Sequence, residues 1–146
     1  MSPRPRKPTG VAALSAMLRH ETDKPRRMAL GTIAMARSGD KGAHANIGVW
    51  VQADSAYQFL LDALTAEVVA THFAIDAARV VRYELANLRA CNFMLHGVLG
   101  VGGGSSSLHT DAQAKAYGQA LLRVELDVPV AVLGTGVRPA SSRRSP

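Results

Sequence analysis

The chain has 146 residues, of which 47% are apolar, enough for one domain with a hydrophobic core. No apolar run approaches the roughly eighteen residues that span a bilayer, and the first residues lack the pattern of a secretory signal. We therefore expect a cytoplasmic domain with no membrane contact. The lone Cys91 lies in an apolar stretch, which predicts a buried, inert thiol rather than a disulfide or a redox centre.

The formal net charge of +6 is concentrated in the two ends of the sequence. Residues 1–28 contain seven basic and two acidic residues, and residues 138–146 contain three arginines and no acid. The segment between them is left with a charge of −2, which argues against nucleic-acid binding. We predict a disordered basic extension over 1–28, a domain over 29–137 and a disordered tail over 138–146. An organelle presequence is the alternative for the extension, but its prolines disfavour the required helix.

The first half of the expected domain alternates strand and helix patterns. Residues 30–36 predict a strand, and the more continuously apolar residues 47–51 predict a second, central one. Apolar residues then recur at steps of three and four, which predicts a helix covering the sheet, with a break near Thr65. Asp54 or Ser55 can cap the start of this helix.

The second half begins with two strands, predicted over residues 80–85 and 92–96. Their connection is short, so we expect antiparallel neighbours. Strand alternation predicts two opposite faces for the second of these strands. Asn92, Met94 and His96 fall on one face, and Cys91, Phe93 and Leu95 fall on the other.

The remaining elements complete the order ββαββαβ. Residues 97–107 are rich in glycine and predict a flexible stretch. Thr110 or Asp111 is expected to cap a helix that ends near Leu122, and residues 124–128 alternate as a last edge strand. Two helices among five strands fit an α+β ferredoxin-like two-layer sandwich, with a mainly antiparallel sheet and both helices on one face.

The segment Arg37-Ser38-Gly39-Asp40-Lys41-Gly42 is the main candidate site, and we predict that it forms a loop between the first two strands. Its glycines permit turns, Arg37 and Lys41 can hold an anion, Ser38 supplies a hydroxyl, and Asp40 can orient Lys41 or act as a base. By composition alone, a solvated hairpin turn is the favoured alternative. The spacing of a phosphate-binding P-loop is absent.

Other polar residues flank the predicted strands. His96 can transfer a proton at neutral pH, although a structural role is the commoner state of a lone histidine. Glu84 is expected to form a surface charge pair with Arg82. The histidines show no ligand spacing with each other or with Cys91, so no metal site is predicted. Three asparagines can orient a carbonyl or amide, or equally satisfy a turn: Asn46, Asn87 and Asn92.

Six segments stand in order between about residues 30 and 129: ARSGDKG, ANIGV, LTAEVVATHF, RYELANL, NFMLHGVLG and SLHTDAQAK. This series resembles the small C-terminal domain of the AtuA-like acyclic-terpene-utilisation proteins, which also occurs as a free-standing chain. The resemblance implies a ferredoxin-like fold and a place in acyclic-terpene and acyl-CoA catabolism. Because of the resemblance, we favour a functional site over a solvated hairpin turn at the RSGDKG segment.

The resemblance marks twelve positions as site candidates. Among these positions we predict catalytic roles for Asp40, Lys41 and His96. We predict ligand binding by Arg37, Ser38, Gly39, Gly42, Asn46, Glu84, Asn87, Asn92 and Gly97. The chain departs from the family pattern at Ala43, where an acid or amide is expected, and at Ala114, where glycine is expected.

Three functions follow from this resemblance. The first is an accessory or binding subunit, which docks on a separate AtuA-type large chain and contributes the RSGDKG segment to a shared site for an acyl-CoA or carboxylate ligand. The second is a stand-alone hydratase or lyase acting on such a ligand, and the third is a structural homo-oligomeric module. No cofactor is implied. We favour the accessory function because a domain of this size has little room to enclose a substrate.

Overall fold

The computed structural model describes residues 10–100 and 114–135, without the side chains of residues 19–22. In chain order its elements are α1 (Gly10–Thr22), β1 (Arg26–Ala29), β2 (Met35–Lys41), β3 (His44–Trp50), α2 (Asp54–Ala63), α3 (Ala66–Phe73), β4 (Val80–Leu85), β5 (Ala90–Leu95), α4 (Lys115–Leu121), β6 (Glu125–Val128) and α5 (Val130–Leu133). Three short 3₁₀ turns lie at Leu30–Thr32, Ala77–Arg79 and Ala86–Leu88.

The strands form two antiparallel sheets. Four strands pair in the order β2-β3-β5-β4, and β1 pairs with β6 in a separate two-stranded sheet. The predicted α+β class and the predicted β4–β5 neighbours are confirmed. The strand pairing differs from the prediction, because the last strand pairs with β1 instead of extending the main sheet.

The core lies on one face of the four-stranded sheet. Alternate residues of β3 and β5 are fully buried. They form one hydrophobic cluster with buried side chains of α2, α3 and α4. On β5, Cys91, Phe93 and Leu95 are buried, whereas Asn92 and Met94 are only half-buried. The alternation predicted for this strand is therefore confirmed.

Residues 30–36 do not form the predicted strand. Leu30–Thr32 is a 3₁₀ turn, and β2 begins only at Met35. The backbone N–H groups of Leu30 and Gly31 donate to the carbonyls of Val124 and Leu122, at 2.8 and 2.9 Å. The apolar run is a buried turn that joins the two sheets. The spacing of apolar residues in the sequence does not distinguish such a turn from a buried strand.

The helical segment after β3 is broken where it was predicted to be. The Thr65 hydroxyl accepts a hydrogen bond from the Val68 N–H at 3.2 Å and so caps α3. At α2 the predicted cap is wrong, since the cap position is Ala53 and no side chain caps the helix there. Asp54 instead lies in the first turn and forms a 2.7 Å ion pair with Arg89.

Regular structure extends into the segment that was expected to be disordered. Residues Gly10–Thr22 form α1, and Pro25 follows the end of the helix. Arg26–Ala29 forms β1, which pairs with β6. The predicted caps Thr110 and Asp111, the tail over 138–146 and most of the glycine-rich stretch lie outside the described residues. No helix within residues 10–100 and 114–135 is long and apolar enough to cross a membrane.

Candidate functional site on the open sheet face

The RSGDKG segment is mainly a strand, so the predicted loop is wrong. Arg37 to Lys41 belong to β2, and the turn to β3 consists of Gly42 and Ala43. Gly42 has a φ of 62°, a conformation that glycine adopts without strain. Five of the six candidate residues are therefore held rigidly in a ladder with β3.

The strand alternation separates the candidate residues. Ser38 and Asp40 lie opposite the fully buried Ile47 and Ala45, so they face the helical side of the sheet. Arg37, Gly39 and Lys41 point to the other side. Asp40 therefore does not share a face with Arg37 and Lys41, and the expected three-residue cluster around one anion is not formed.

Ser38 joins β2 to α4. Its hydroxyl donates to the carbonyl of Lys115 at 2.9 Å and accepts from the N–H of Gly118 at 2.7 Å. A Cβ on Gly118 would lie 3.2 Å from the Ser38 Oγ and 3.3 Å from two backbone atoms of β2. Glycine at position 118 thus permits the close helix–strand contact, and Ser38 has a structural role.

The second side of the sheet forms what we call the outer face. We define it by the residues of the four strands whose side chains point away from the helices. Residues paired across the strands form three rows. The rows are Met35, Trp50, Ala90 and Leu85; then Arg37, Gly48, Asn92 and Tyr83; then Gly39, Asn46, Met94 and Val81. No acidic residue stands in these rows. Apolar side chains are exposed here, with Tyr83 at 51% and Met35 at 41% of their full accessible area.

Two glycines leave a depression in the middle of the outer face. A Cβ on Gly39 would meet nothing within 4 Å, and one on Gly48 would meet only the Arg37 carbonyl at 3.8 Å. The depression is bordered by Arg37, Asn46 and Asn92. Asn92 Oδ1 is buried and accepts no hydrogen bond from the described residues. A buried acceptor of this kind usually has a donor.

A row of basic residues continues the outer face beyond the strand ends. Lys41 pairs with His44, and His96 and Arg79 continue the ladder through the His96 N–H to Arg79 carbonyl bond of 2.7 Å. The rings of His44 and His96 lie 5.0 Å apart. We call Lys41, His44, His96 and Arg79 the basic row. Sequence reasoning missed Arg79 and His44, because they come close to His96 only when β3 and β4 both pair with β5.

Several predicted site residues lie elsewhere. Glu84 is on the helical side of edge strand β4, where it pairs with Arg82 at 2.9 Å, so the predicted charge pair is present. Arg82 also donates to the carbonyls of Leu61 and Leu64, at 2.6 and 3.0 Å, at the end of α2. Asn87 is exposed in the turn between β4 and β5, at the opposite end of the sheet from the basic row. Gly97 lies beside the basic row.

Burial governs the two perturbed ionisable groups. Desolvation raises the pKa of the buried Cys91 thiol, and it also raises the pKa of the Tyr57 phenol. Cys91 is buried and unpaired, as predicted. Within the described ranges, no three His, Cys, Asp or Glu side chains form a group that could hold a metal ion.

Two surface grooves lie away from the predicted residues. One of about 440 Å³ runs between α3 and the two-stranded sheet, beside His72 and Val124. The other, of about 520 Å³, lies between α4 and the turn before β2, beside Gly31 and Gln119. Neither includes Arg37, Lys41, Asn92 or His96. The candidate site is thus an open face rather than a closed pocket.

The fold and the site define a small α+β domain whose antiparallel sheet has a helical core side and an open, cation-bearing side. A family model described as the AtuA ferredoxin-like domain matches residues 28–127, so the chain belongs to the AtuA ferredoxin-like domain family. This match confirms the resemblance and the ferredoxin-like fold class predicted from the sequence. No curated protein and no solved structure matches the chain.

Proposed function

We propose that the chain is an accessory binding domain, whose outer face binds an anionic ligand of the acyl-CoA or carboxylate class next to a larger AtuA-type chain. The observation that carries the proposal is the arrangement of Arg37, Asn46 and Asn92 around the depression at Gly39 and Gly48. Membership in the AtuA ferredoxin-like family supports the accessory role.

The chemistry of the depression suits a carboxylate or thioester carbonyl. The Arg37 guanidinium supplies donors and a positive charge, and the amides of Asn46 and Asn92 supply paired donors and acceptors. No acidic side chain shares the outer face, so an anion there meets no like charge from the strands.

A protein partner is supported by the exposed apolar side chains on the same face. Tyr83 and Leu85, on edge strand β4, are 51% and 39% exposed. Met35, 41% exposed, lies in the same row as Leu85 on the opposite edge strand β2. Aromatic and methionine side chains are enriched in protein interfaces. A partner covering these side chains would exclude water from the depression and strengthen the interaction of Arg37 with an anion.

A stand-alone hydratase or lyase is less well supported by the geometry. Asp40, the predicted base, lies on the helical side of the sheet and so is separated from the ligand proposed at Arg37. The face is also open, whereas catalysis on a small substrate needs a site that positions it and restricts water. We therefore propose binding rather than turnover as the contribution of this domain.

Ligand binding is tested with butyrate and butyryl-CoA by calorimetry and thermal shift. Arg37→Gln is expected to weaken binding by about tenfold or more, since a charge-assisted contact is worth about 1.5–3 kcal/mol. Asn92→Asp places a like charge beside the anion and is expected to abolish binding at nearly constant side-chain size. The matched control is Arg123→Gln, which removes an exposed charge beyond α4. Equal affinity in all variants would reject the site.

The partner is tested by co-expression with a separately encoded AtuA-type large chain. Co-purification is expected, and Tyr83→Lys on the outer face is expected to prevent it. The matched control is Gln58→Lys, on the exposed side of α2, which should leave the complex intact. Failure to isolate a complex, or a complex that survives Tyr83→Lys, would contradict the proposed interface.

A further inference from the structure

We infer that the basic row is a separate binding site for a phosphate group, formed by Lys41, His44, His96 and Arg79. This site lies at the hairpin end of the outer face, four residues along the strand from Arg37. At the usual rise per residue, the two positions are about 13 Å apart. Its test is therefore independent of the carboxylate site in the proposed function.

The charge distribution is the first argument. Register places Lys41 opposite His44, and the continued ladder places His96 opposite Arg79. The contact between the His44 and His96 rings joins these two pairs into one row. Two cations, Lys41 and Arg79, and two imidazoles thus occupy neighbouring positions of the ladder. Their nearest acidic neighbour in sequence, Asp40, faces the helical side, and Asp76 is engaged by the Ala78 N–H at 3.0 Å.

The fixed orientation of two of the basic groups is the second argument. The Gly97 N–H donates to His44 Nδ1 at 2.8 Å, so Nδ1 acts as the acceptor and Nε2 carries the proton. The Nε2–H of His44 is therefore a donor in a fixed ring. Arg79 Nε donates to the His96 carbonyl at 2.9 Å, which leaves its terminal nitrogens for another partner. Such preoriented donors reduce the entropy lost when an anion binds.

The position of Gly97 is the third argument. This residue has a φ of 71°, and a Cβ there would lie 3.1 Å from Arg79 Nη2. A side chain at position 97 would displace the guanidinium from the row. Glycine therefore leaves room for the Arg79 guanidinium, whose Nε donates to the His96 carbonyl. A tetrahedral phosphate has acceptor oxygens in several directions, which suits donors from several residues of the row better than a planar carboxylate does.

Two sources can supply the phosphate group, namely free phosphate and a phosphate ester of a larger molecule. Titrations with inorganic phosphate, adenosine 3′,5′-bisphosphate and adenosine distinguish them. The imidazole NMR signals of His44 and His96 are expected to shift with the first two probes, while the signal of His72, which binds the Ala120 carbonyl, stays fixed. Tighter binding of the bisphosphate than of phosphate identifies an ester, and equal binding identifies the free ion.

Substitutions complete the test. Lys41→Gln and Arg79→Gln are each expected to weaken phosphate binding by about tenfold, equivalent to about 1.4 kcal/mol. Arg123→Gln is the matched control and should bind as the wild type does. Lys41 is exposed at the hairpin end, so its replacement tests the site even if Arg79→Gln fails to fold. No shift of the His44 and His96 signals, or an equal shift with chloride at the same ionic strength, overturns the inference.

Discussion

The contact between Ser38 and α4 makes a prediction in which two opposing effects can be weighed. Replacing Gly118 by alanine in an ordinary helix stabilises it by about 1 kcal/mol. Here the new methyl group would lie 3.2–3.3 Å from Ser38 Oγ and from the backbone of β2. Overpacking of this kind costs about 1–3 kcal/mol, and displacing Ser38 loses a hydrogen bond worth about 1 kcal/mol. We therefore expect Gly118→Ala to lower the free energy of unfolding by about 1–3 kcal/mol.

The same contact can be removed from the other side. Ser38→Ala leaves the Gly118 N–H and the Lys115 carbonyl without the hydroxyl, and we expect a loss of about 1–3 kcal/mol. Urea unfolding followed by circular dichroism measures both variants, and each kcal/mol should lower the melting temperature by about 4–8 °C. Gly39→Ala on the same strand has open space for its methyl group and is the control. A stabilised Gly118→Ala variant with an unchanged denaturant slope would refute the reasoning.

Three further predictions concern the other contacts of the domain. Arg82→Gln should lower the free energy of unfolding by about 1–3 kcal/mol, because the carbonyls at the end of α2 lose their donor. Glu84→Gln removes only a surface ion pair and should cost under about 1 kcal/mol. Denaturant titration of both variants compares the two losses. Thr65→Ala should cost about 1 kcal/mol and Thr65→Ser much less, since only serine keeps the hydroxyl that caps α3, and comparable losses in the two variants would contradict the cap. The free energy of unfolding should decline as the pH rises above about 8.5, because the Cys91 thiol ionises there in the unfolded chain while burial keeps it protonated in the folded one. Cys91→Ala should flatten that decline. Rapid labelling of native Cys91 by a thiol reagent would argue against its burial.

Local patterns predicted the second half of the sheet well. The alternation around Phe93 specified which side of β5 is buried, and the short connection after β4 specified an antiparallel hairpin. The break at Thr65 was also predictable, because a threonine ahead of an apolar run is a typical helix cap. In each case the determining residues are close in sequence.

Strand pairing, which local composition does not reveal, accounts for the errors. Gly39 and Asp40 have low strand propensity, so the RSGDKG segment predicts a loop, but pairing with β3 over the whole length of β2 overrides that preference. The β1–β6 sheet joins Arg27 to Asp127, which are 100 residues apart, and no local pattern marks that contact. The basic composition of residues 1–28 predicted disorder, whereas Arg26–Ala29 pairs with β6.

The candidate site was predicted by residue type better than by geometry. Arg37, Asn46 and Asn92 do lie on one face, as their proposed shared role requires. Ser38 and Asp40 face the helical side of the sheet instead. Composition does not specify which residues of a strand face which side. Arg79 could have been found only by knowing that β4 and β5 pair to their ends.

The pairing of β1 with β6 has a mechanical consequence. Arg26 lies opposite Val128, so the chain enters β1 and leaves β6 at the same edge of the two-stranded sheet. A force applied through the two flanking segments would pull these strands apart from that edge, breaking their hydrogen bonds one after another instead of all together. The domain should therefore open at low force in a single-molecule pulling experiment, while circularly permuted chains that join these neighbouring ends should still fold.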